Sequence, residues 1–224
     1  MIDIVDLLDQ LTPSMGWRAL TAFVLCAVLI PLSLPLARRF GLVDRPGGRK
    51  LHDVATPVTG GLCILIAVVA VGLLFDPLPK LRLPVFFTCI GLLVAVGAWD
   101  DLRDISWRLR LLVQVGVAVL MAKWAGLQVQ NLHDVFGIDT LGLLALPFTI
   151  FVVVGVINAL NMADGVDGLA GGQAIVSLLL FAAFALYSGD LLAVQRLLTI
   201  SAAVAGFLLW NSRFPWQPRA RVFL

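Results

Sequence analysis

Glutamate is absent from this 224-residue sequence, so all fourteen of its acidic residues are aspartates. Charged residues of either sign are scarce at 13%, whereas hydrophobic residues make up 60%. This balance excludes an ordinary soluble domain and is typical of a protein that crosses a membrane several times. The formal net charge is only +2, so nothing in it indicates a nucleic acid partner, and we expect none.

Cysteine is also rare, and the three that occur all lie inside apolar runs: Cys26, Cys63 and Cys89. They have no metal-like spacing, so we interpret them as small core residues and not as a disulfide framework. The first eleven residues contain three aspartates and no basic residue, which is the reverse of a cleavable signal sequence. Residues 1–16 are predicted to form a short amphipathic helix.

Seven apolar runs approach the length of a membrane-spanning helix, which is about 20 residues. The predicted spans are 17–36, 60–75, 83–99, 109–124, 141–157, 169–187 and 191–210. Pro31 and Pro35 are expected to bend the first span. All six tryptophans fall at or near span ends, as in an interfacial aromatic belt. The sequence therefore predicts an all-α, polytopic transmembrane helical bundle that forms a single membrane domain over residues 1–224.

The basic residues predict the orientation of this bundle. Eleven of the sixteen lysines and arginines fall in or beside the loops 37–59, 100–108, 158–168 and 211–224. Loops rich in lysine and arginine remain in the cytoplasm. We therefore expect these four loops to be cytoplasmic and the N-terminus to lie outside.

A polar stretch interrupts the apolar pattern after the fifth span. Its four polar side chains are spaced three residues apart: Asn158, Asn161, Asp164 and Asp167. A spacing of three keeps neighbours near one face of a helix, whereas the two Asp-Gly pairs favour a turn that begins near Asp164. Ionisable groups at the end of an apolar span indicate a functional site. The alternative is an ordinary polar loop between two spans.

A second acidic element closes the third span. Asp100 and Asp101 are adjacent, and Asp104 follows them. Adjacent carboxylates repel each other and need a counter-charge, which Mg²⁺ bound by carboxylates and substrate phosphates would supply. Arg103 and Arg108 are the alternative source of that charge.

The loop between the first two spans combines basic residues with Gly-Gly pairs. Arg49, Lys50 and His52 lie between these pairs. Guanidinium and ammonium groups bind phosphate oxygens, so this loop is a candidate phosphate site; the alternative is a plain positively charged cytoplasmic loop. Together the three polar elements predict an oxygen-rich metal site beside a cationic phosphate site, and therefore phosphoryl transfer at the membrane surface.

Four stretches resemble the polyprenyl-phosphate N-acetylhexosamine-1-phosphate transferase superfamily (glycosyltransferase family 4), in matching order across nearly the whole chain. They are 44–52 with 56–61, 97–101, 158–172, and Asn211 with 222–224. The strings Asn-Met-Ala-Asp-Gly-Val-Asp-Gly-Leu and Arg-Lys-Leu-His are most similar to the bacterial branch that moves GlcNAc 1-phosphate from UDP-GlcNAc to undecaprenyl phosphate. The branch that transfers phospho-MurNAc-pentapeptide for peptidoglycan is less similar.

The resemblance implies roles for the polar stretch after the fifth span. Asn161 and Asp164 would hold Mg²⁺, with Mn²⁺ as the alternative ion. Asp167, Asn158 and Asn211 would contact the nucleotide or the rest of the substrate. The implied partners are a UDP-N-acetylhexosamine, undecaprenyl phosphate and the lipid bilayer, with a homodimer left open. The implied location is the bacterial inner membrane, with the site facing the cytoplasm.

The resemblance also implies roles for the other two elements. Asp100 and Asp101 would be catalytic and lie where the lipid phosphate enters, as a general base or as electrostatic groups. A phosphate monoester has a second pKa near 6, so most of the acceptor is already a dianion at neutral pH, which favours the electrostatic role. Arg49, Lys50 and His52 would bind substrate phosphates.

The end of the sequence departs from the family pattern. In the family, the Val-Phe-Leu string runs into a Gly-Asp pair whose aspartate binds the metal, whereas this sequence stops at Leu224. We therefore expect a fragment that is inactive without the downstream residues. A transporter with a cytoplasmic acidic site is the alternative from another class, but it would place its ionisable residues in mid-span.

Overall fold

A computed structural model describes residues 12–44, 55–75, 82–103, 105–135, 137–164 and 166–224. Within the described helices and strands, the side chains of residues 82–84, 101–102 and 133–135 are also left out. The amphipathic helix predicted for residues 1–16 therefore lies mostly outside the described residues. The basic loop with Arg49, Lys50 and His52 lies outside them entirely.

Seven α-helices dominate the described residues and confirm the all-α prediction. They are α1 Pro13–Phe40, α2 Gly60–Phe75, α3 Arg82–Arg103, α4 Trp107–Trp124, α5 Ala145–Ala163, α6 Leu169–Tyr187 and α7 Leu191–Asn211. Four of them are long and apolar enough to cross a membrane, namely α1, α6, α7, and α5 with the 3-10 turn Gly142–Leu144 before it. The apolar parts of α2 and α3 are shorter.

Among the residues that the structure describes, two small antiparallel hairpins join helices, and neither is predicted by the sequence pattern. Strand β1 (Val43–Asp44) pairs with β2 (Thr56–Pro57), and β3 (Asn131–Val135) pairs with β4 (Ile138–Thr140). The first hairpin brings together the two ends of the basic loop 45–54. The second takes up part of the connection between α4 and α5. The 3-10 turn Gly142–Leu144 follows it, so the fifth helix begins at Ala145 instead of the predicted position 141.

The chain divides into two compact units. The first unit comprises Met1–Pro77 and Ala163–Leu224, and the second comprises Leu78–Met162. The first therefore contains α1, α2, α6 and α7, and the second contains α3, α4 and nearly all of α5. The prediction of a single membrane domain concerns the whole chain and stays a prediction.

Small residues allow α1 and α7 to pack closely in the core of the first unit. Ala22 and Cys26 of α1 and Ala203 and Phe207 of α7 are completely buried. A Cβ atom on Gly206 would lie 2.5 Å from the carbonyl oxygen of Phe23, so the two backbones meet at this point. All three cysteines are free and buried, which confirms their interpretation as small core residues.

A proline in α1 leaves one backbone carbonyl without its helical hydrogen bond, and a side chain of α7 supplies the missing donor. Pro31 has no N–H, so the carbonyl of Ala27 loses the donor that a regular helix would supply four residues later. The indole Nε1 of Trp210 donates a hydrogen bond to this carbonyl oxygen at 2.9 Å. Because an unpaired carbonyl is costly in an apolar environment, this bond ties the end of α7 to the middle of α1.

Polar side chains also connect elements of the second unit. Ser106 caps α4 by accepting a bond from the backbone N–H of Leu109. Thr149 of α5 accepts a bond from the backbone N–H of Val129 at 3.0 Å and donates to the carbonyl oxygen of Ala145 at 2.7 Å. These bonds hold the connection between α4 and α5 against the first turns of α5.

Candidate active site

The polar stretch 158–172 contains the end of α5, a turn and the start of α6. Helix α5 continues through Asn158 and Asn161 and ends at Ala163. The chain then turns at Asp164, and Gly168 precedes α6 with a φ of 81°, a left-handed conformation that glycine adopts without strain. This geometry confirms the turn that the two Asp-Gly pairs predict. The two amides therefore lie on a helix and the two carboxylates on the turn.

The environment of Asp164 disfavours its ionised form. Its side chain is half-buried, and burial together with the negative charge of Asp167 raises the pKa of Asp164 to about 6. A carboxylate that burial and a like charge both destabilise is stabilised by a cation. The turn therefore fits a divalent ion with oxygen ligands.

Asp167 already has partners from the end of the chain. Its Oδ2 accepts a bond from Nε of Arg213 at 2.8 Å and a longer bond from the backbone N–H of Ala220 at 3.3 Å. The Asp167 side chain is only 15% exposed, whereas that of Arg213 is 68% exposed. Asp167 thus links the turn to the segment after α7.

Asn211 connects the same two segments from inside the first unit. It is 3% exposed, its Oδ1 accepts a bond from the backbone N–H of Gly168 at 2.8 Å, and its Nδ2 donates to the carbonyl oxygen of Val222 at 2.9 Å. Both ends of the amide are therefore bonded to backbone. Its contact with a nucleotide stays a prediction, and the structure adds a role in holding the turn in place.

Segment 222–224 is attached to the base of the basic loop as well. The backbone N–H of Phe223 donates to the carbonyl oxygen of Pro57, and the N–H of Gly60 donates to the carbonyl oxygen of Phe223, at 2.8 and 2.9 Å. A Cβ atom on Gly60 would lie 2.4 Å from the ring of Phe207. Gly60 therefore serves close packing, and its N–H is not available to a phosphate.

Arg110 balances the charge of Asp100 in the second unit. Its Nη1 lies 2.5 Å from Oδ2 of Asp100, and this pair was not predicted. Of the two arginines that the sequence offers as alternatives, Arg103 and Arg108, the guanidinium of Arg108 lies over the ring of Trp107, 5.4 Å from its centre. The side chain of Asp101 and the whole of Asp104 lie outside the described residues.

Asn158 is oriented by a residue that the sequence analysis missed. Its Nδ2 donates to Oε1 of Gln114 at 2.7 Å and to the carbonyl oxygen of Val154 at 2.8 Å. Gln114 lies on α4 and is only 6% exposed. The available signal was its position as a single amide in the apolar part of α4. Asn161, one turn further along α5, is exposed.

An apolar groove of about 550 Å³ runs along α5 and ends at Asn158. Its walls come from Val115 of α4 and from one stripe of α5 that includes Phe151 and Val154. Within the part of the chain that the structure describes, no three Asp, His or Cys side chains are grouped closely enough to hold a metal. A cation at the turn would therefore take substrate oxygens as further ligands, as Mg²⁺ commonly does.

The chain is similar to a known family and to several curated relatives. Residues 83–224 match the family model of glycosyl transferase family 4. A relative from Bacillus subtilis (strain 168), named probable undecaprenyl-phosphate N-acetylglucosaminyl 1-phosphate transferase, is 32% identical over 200 residues, which is 87% of this chain and 56% of the relative. The undecaprenyl-phosphate alpha-N-acetylglucosaminyl 1-phosphate transferase of Yersinia pestis is 33% identical over 201 residues, or 88% and 54%. The protein of that name from Escherichia coli (strain K12) is 30% identical over 195 residues, or 86% and 53%. The chain spans about half the length of the curated relatives it matches.

Proposed function

Because this chain belongs to glycosyl transferase family 4, we propose that it transfers N-acetylglucosamine 1-phosphate from UDP-GlcNAc to undecaprenyl phosphate and releases UMP. The membership confirms the resemblance found in the sequence. The names of the relatives support the sugar phosphate and the lipid acceptor. The UDP part of the donor follows from the resemblance alone.

The turn after α5 is the observation that carries this proposal. It presents a half-buried carboxylate, Asp164, whose charge is opposed by burial and by Asp167. Such a carboxylate destabilises the folded protein unless a cationic ligand binds it, so it is a candidate functional group. Asn161 and Asp164 would hold a Mg²⁺ ion, whose chemistry there is neutralisation of the charge that develops on the diphosphate.

The remaining residues orient the two substrates. In the transfer, an oxygen of the lipid phosphate bonds to the β-phosphorus of the donor, and the bond from that phosphorus to UMP breaks. Asp167, Asn158 and Asn211 would orient the nucleotide, and Asn211 also holds the turn through its bond to Gly168. Asp100 and Asp101 position the acceptor phosphate and control its charge, because an acceptor that is mostly a dianion has little need of a base.

Location follows from the positively charged loops. We place the site on the cytoplasmic face of a bacterial inner membrane, where nucleotide sugars are available, with the N-terminus outside. The apolar groove beside Asn158 has a lining that suits a hydrocarbon chain. A lipid acceptor with its phosphate at the membrane surface is consistent with both features.

A two-product assay tests the function. Full-length protein in detergent is mixed with undecaprenyl phosphate, Mg²⁺ and UDP-GlcNAc labelled in the sugar, and both UMP release and label in the lipid phase are measured. Asp164→Asn should abolish both signals. Asp190→Asn is the matched control, because Asp190 caps α7 away from the turn and asparagine caps equally well.

The choice of donor separates the neighbouring branch. A parallel reaction contains UDP-MurNAc-pentapeptide in place of UDP-GlcNAc. Transfer from this donor alone would reassign the protein to the peptidoglycan branch. Release of UMP without label in the lipid would refute transfer to a lipid acceptor.

A further inference from the structure

Helix α4 connects two of the polar elements of the second unit. Arg110 and Gln114 are four residues apart, so they lie on the same face of the helix. Arg110 bonds to Asp100 at the end of α3, and Gln114 bonds to Asn158 on α5. One face of α4 is therefore bonded to the acidic element on one side and to the amide of the polar stretch on the other.

The bond from Gln114 decides which atom Asn158 can offer to a ligand. Both recorded bonds of Asn158 use its Nδ2, to Oε1 of Gln114 and to the carbonyl oxygen of Val154. Its Oδ1 has no partner among the described residues. Because rotating the amide would break the bond to the buried Gln114, Asn158 presents Oδ1, which accepts from an N–H or O–H group of a ligand.

The bond between Arg110 and Asp100 uses one nitrogen of the guanidinium group. Among the described residues its recorded partner is Asp100, through Nη1, and the Arg110 side chain is 44% exposed. A guanidinium can donate to two oxygens in parallel, so the paired Arg110 both holds Asp100 in place and can receive a phosphate. Asp100 is less exposed, at 20%, so the arginine forms the outer side of the pair.

We infer that α4 is a positioning helix: Gln114 orients Asn158 towards the sugar nucleotide, and Arg110 sets Asp100 for the lipid phosphate. This inference rests on the proposed function and adds two residues to it. Neither bond joins neighbours in sequence: 10 residues separate Asp100 from Arg110, and 44 separate Gln114 from Asn158. Since both bonds start from one rigid helix, α4 also fixes the distance between the two positioned side chains.

Selective effects on the two substrates test the inference in the full-length protein. Gln114→Met keeps the side-chain length but removes the acceptor for Asn158. It should raise KM for UDP-GlcNAc about tenfold, which is the usual scale for a lost hydrogen bond of this kind. KM for undecaprenyl phosphate should stay unchanged. Gln114→Glu keeps an acceptor oxygen and should restore most of the loss. Arg110→Gln should raise KM for undecaprenyl phosphate about tenfold or more with the donor KM unchanged, and Arg110→Lys should be milder.

The matched control is Thr149→Val, which removes the two hydrogen bonds of the Thr149 hydroxyl, to Val129 and Ala145, and touches neither polar element. It should lower thermal stability and leave both KM values unchanged. If Gln114→Met or Arg110→Gln changed both KM values equally, or behaved like Thr149→Val, the role would be structural and the inference would be overturned.

A measurement without turnover separates this inference from the proposed function. Thermal unfolding of Gln114→Met, Asn158→Leu and the double variant gives the coupling between the two side chains. Non-additive effects support the link through α4, and additive effects refute it. Lack of turnover by the wild-type protein would overturn the proposed function, and the coupling would still decide whether α4 holds Asn158.

Discussion

Replacing Asp164 with asparagine should make the protein more stable in the absence of divalent cations and at the same time inactive. Burial and the charge of Asp167 raise the pKa of Asp164 from the usual 3.8 to about 6. The folded protein therefore holds the proton of this carboxyl group more tightly than the unfolded chain. Asparagine has nearly the same shape and carries no charge, so it removes the penalty.

The size of the gain follows from linkage between protonation and folding. One pKa unit corresponds to about 1.4 kcal/mol, so a pKa raised from 3.8 to about 6 would destabilise the charged folded state by roughly 3 kcal/mol. Because Asp164 is only half-buried, water screens the charge, and we reduce the expected gain to about 1 kcal/mol. The penalty is absent below the unfolded pKa, grows as the pH rises from about 4 to about 6, and is complete at neutral pH.

Thermal unfolding in detergent with EDTA measures this gain. At pH 7.5, Asp164→Asn should unfold about 2–4 °C above the wild type, the shift expected for about 1 kcal/mol in a chain of this size. At pH 4.5 the two proteins should unfold at nearly the same temperature. Asp190→Asn serves as the control and should show no pH-dependent gain.

Activity and metal binding complete the test. Turnover by Asp164→Asn should fall by about two or more orders of magnitude, as when a preorganised charged group is lost from an active site. Added Mg²⁺ should raise the unfolding temperature of the wild type and not that of the variant. If the variant is less stable than the wild type at pH 7.5 in EDTA, the charge of Asp164 does not destabilise the folded protein. If the variant has wild-type activity, Asp164 is not an active-site residue.

Three further predictions concern topology and packing. A cysteine introduced at Gly48, in a background without the native cysteines, should not react with an impermeant reagent added outside intact cells. Labelling would show that the chain has the opposite orientation. Gly206→Ala should destabilise the protein by about 1–3 kcal/mol in thermal unfolding because α1 and α7 must separate, whereas Gly116→Ala, which has open space around it, should have little effect. Trp210→Phe leaves the carbonyl of Ala27 unpaired and should cost about 1–3 kcal/mol in the same measurement, and no loss would mean that another donor replaces the indole.

The limits of the spans show where local reasoning worked and where it failed. The predicted spans 169–187 and 191–210 agree with α6 and α7 to within one residue. The first helix is longer than predicted at both ends, Pro13–Phe40, because flanking polar residues do not stop a helix whose backbone is otherwise satisfied. The fifth helix is shifted towards higher numbers, since the 3-10 turn Gly142–Leu144 takes its first predicted residues and the helix continues to Ala163.

The candidate site divides in the same way. The turn at Asp164 could be predicted, because Asp-Gly pairs determine backbone geometry within a few residues. The partners of the polar side chains could not. The sequence pattern marks neither Arg110 as the partner of Asp100 nor Gln114 as the partner of Asn158, and it does not show that Asn211 bonds to two backbone groups.

The sequence by itself determined the membrane-spanning class of the chain, the approximate positions of the seven helices among the described residues, the turn with two carboxylates, and the family. These properties depend on the length of apolar runs and on short motifs, which the thickness of a bilayer and local backbone preferences convert directly into structure. Only the tertiary structure decided the pairing of Asp100 with Arg110, the orientation of Asn158 by Gln114, and the link that Asn211 makes between Gly168 and Val222. Each of these bonds joins separate elements of the chain. Helix packing alone brings such groups within bonding distance, and no local pattern in the sequence records which of the available partners will be met.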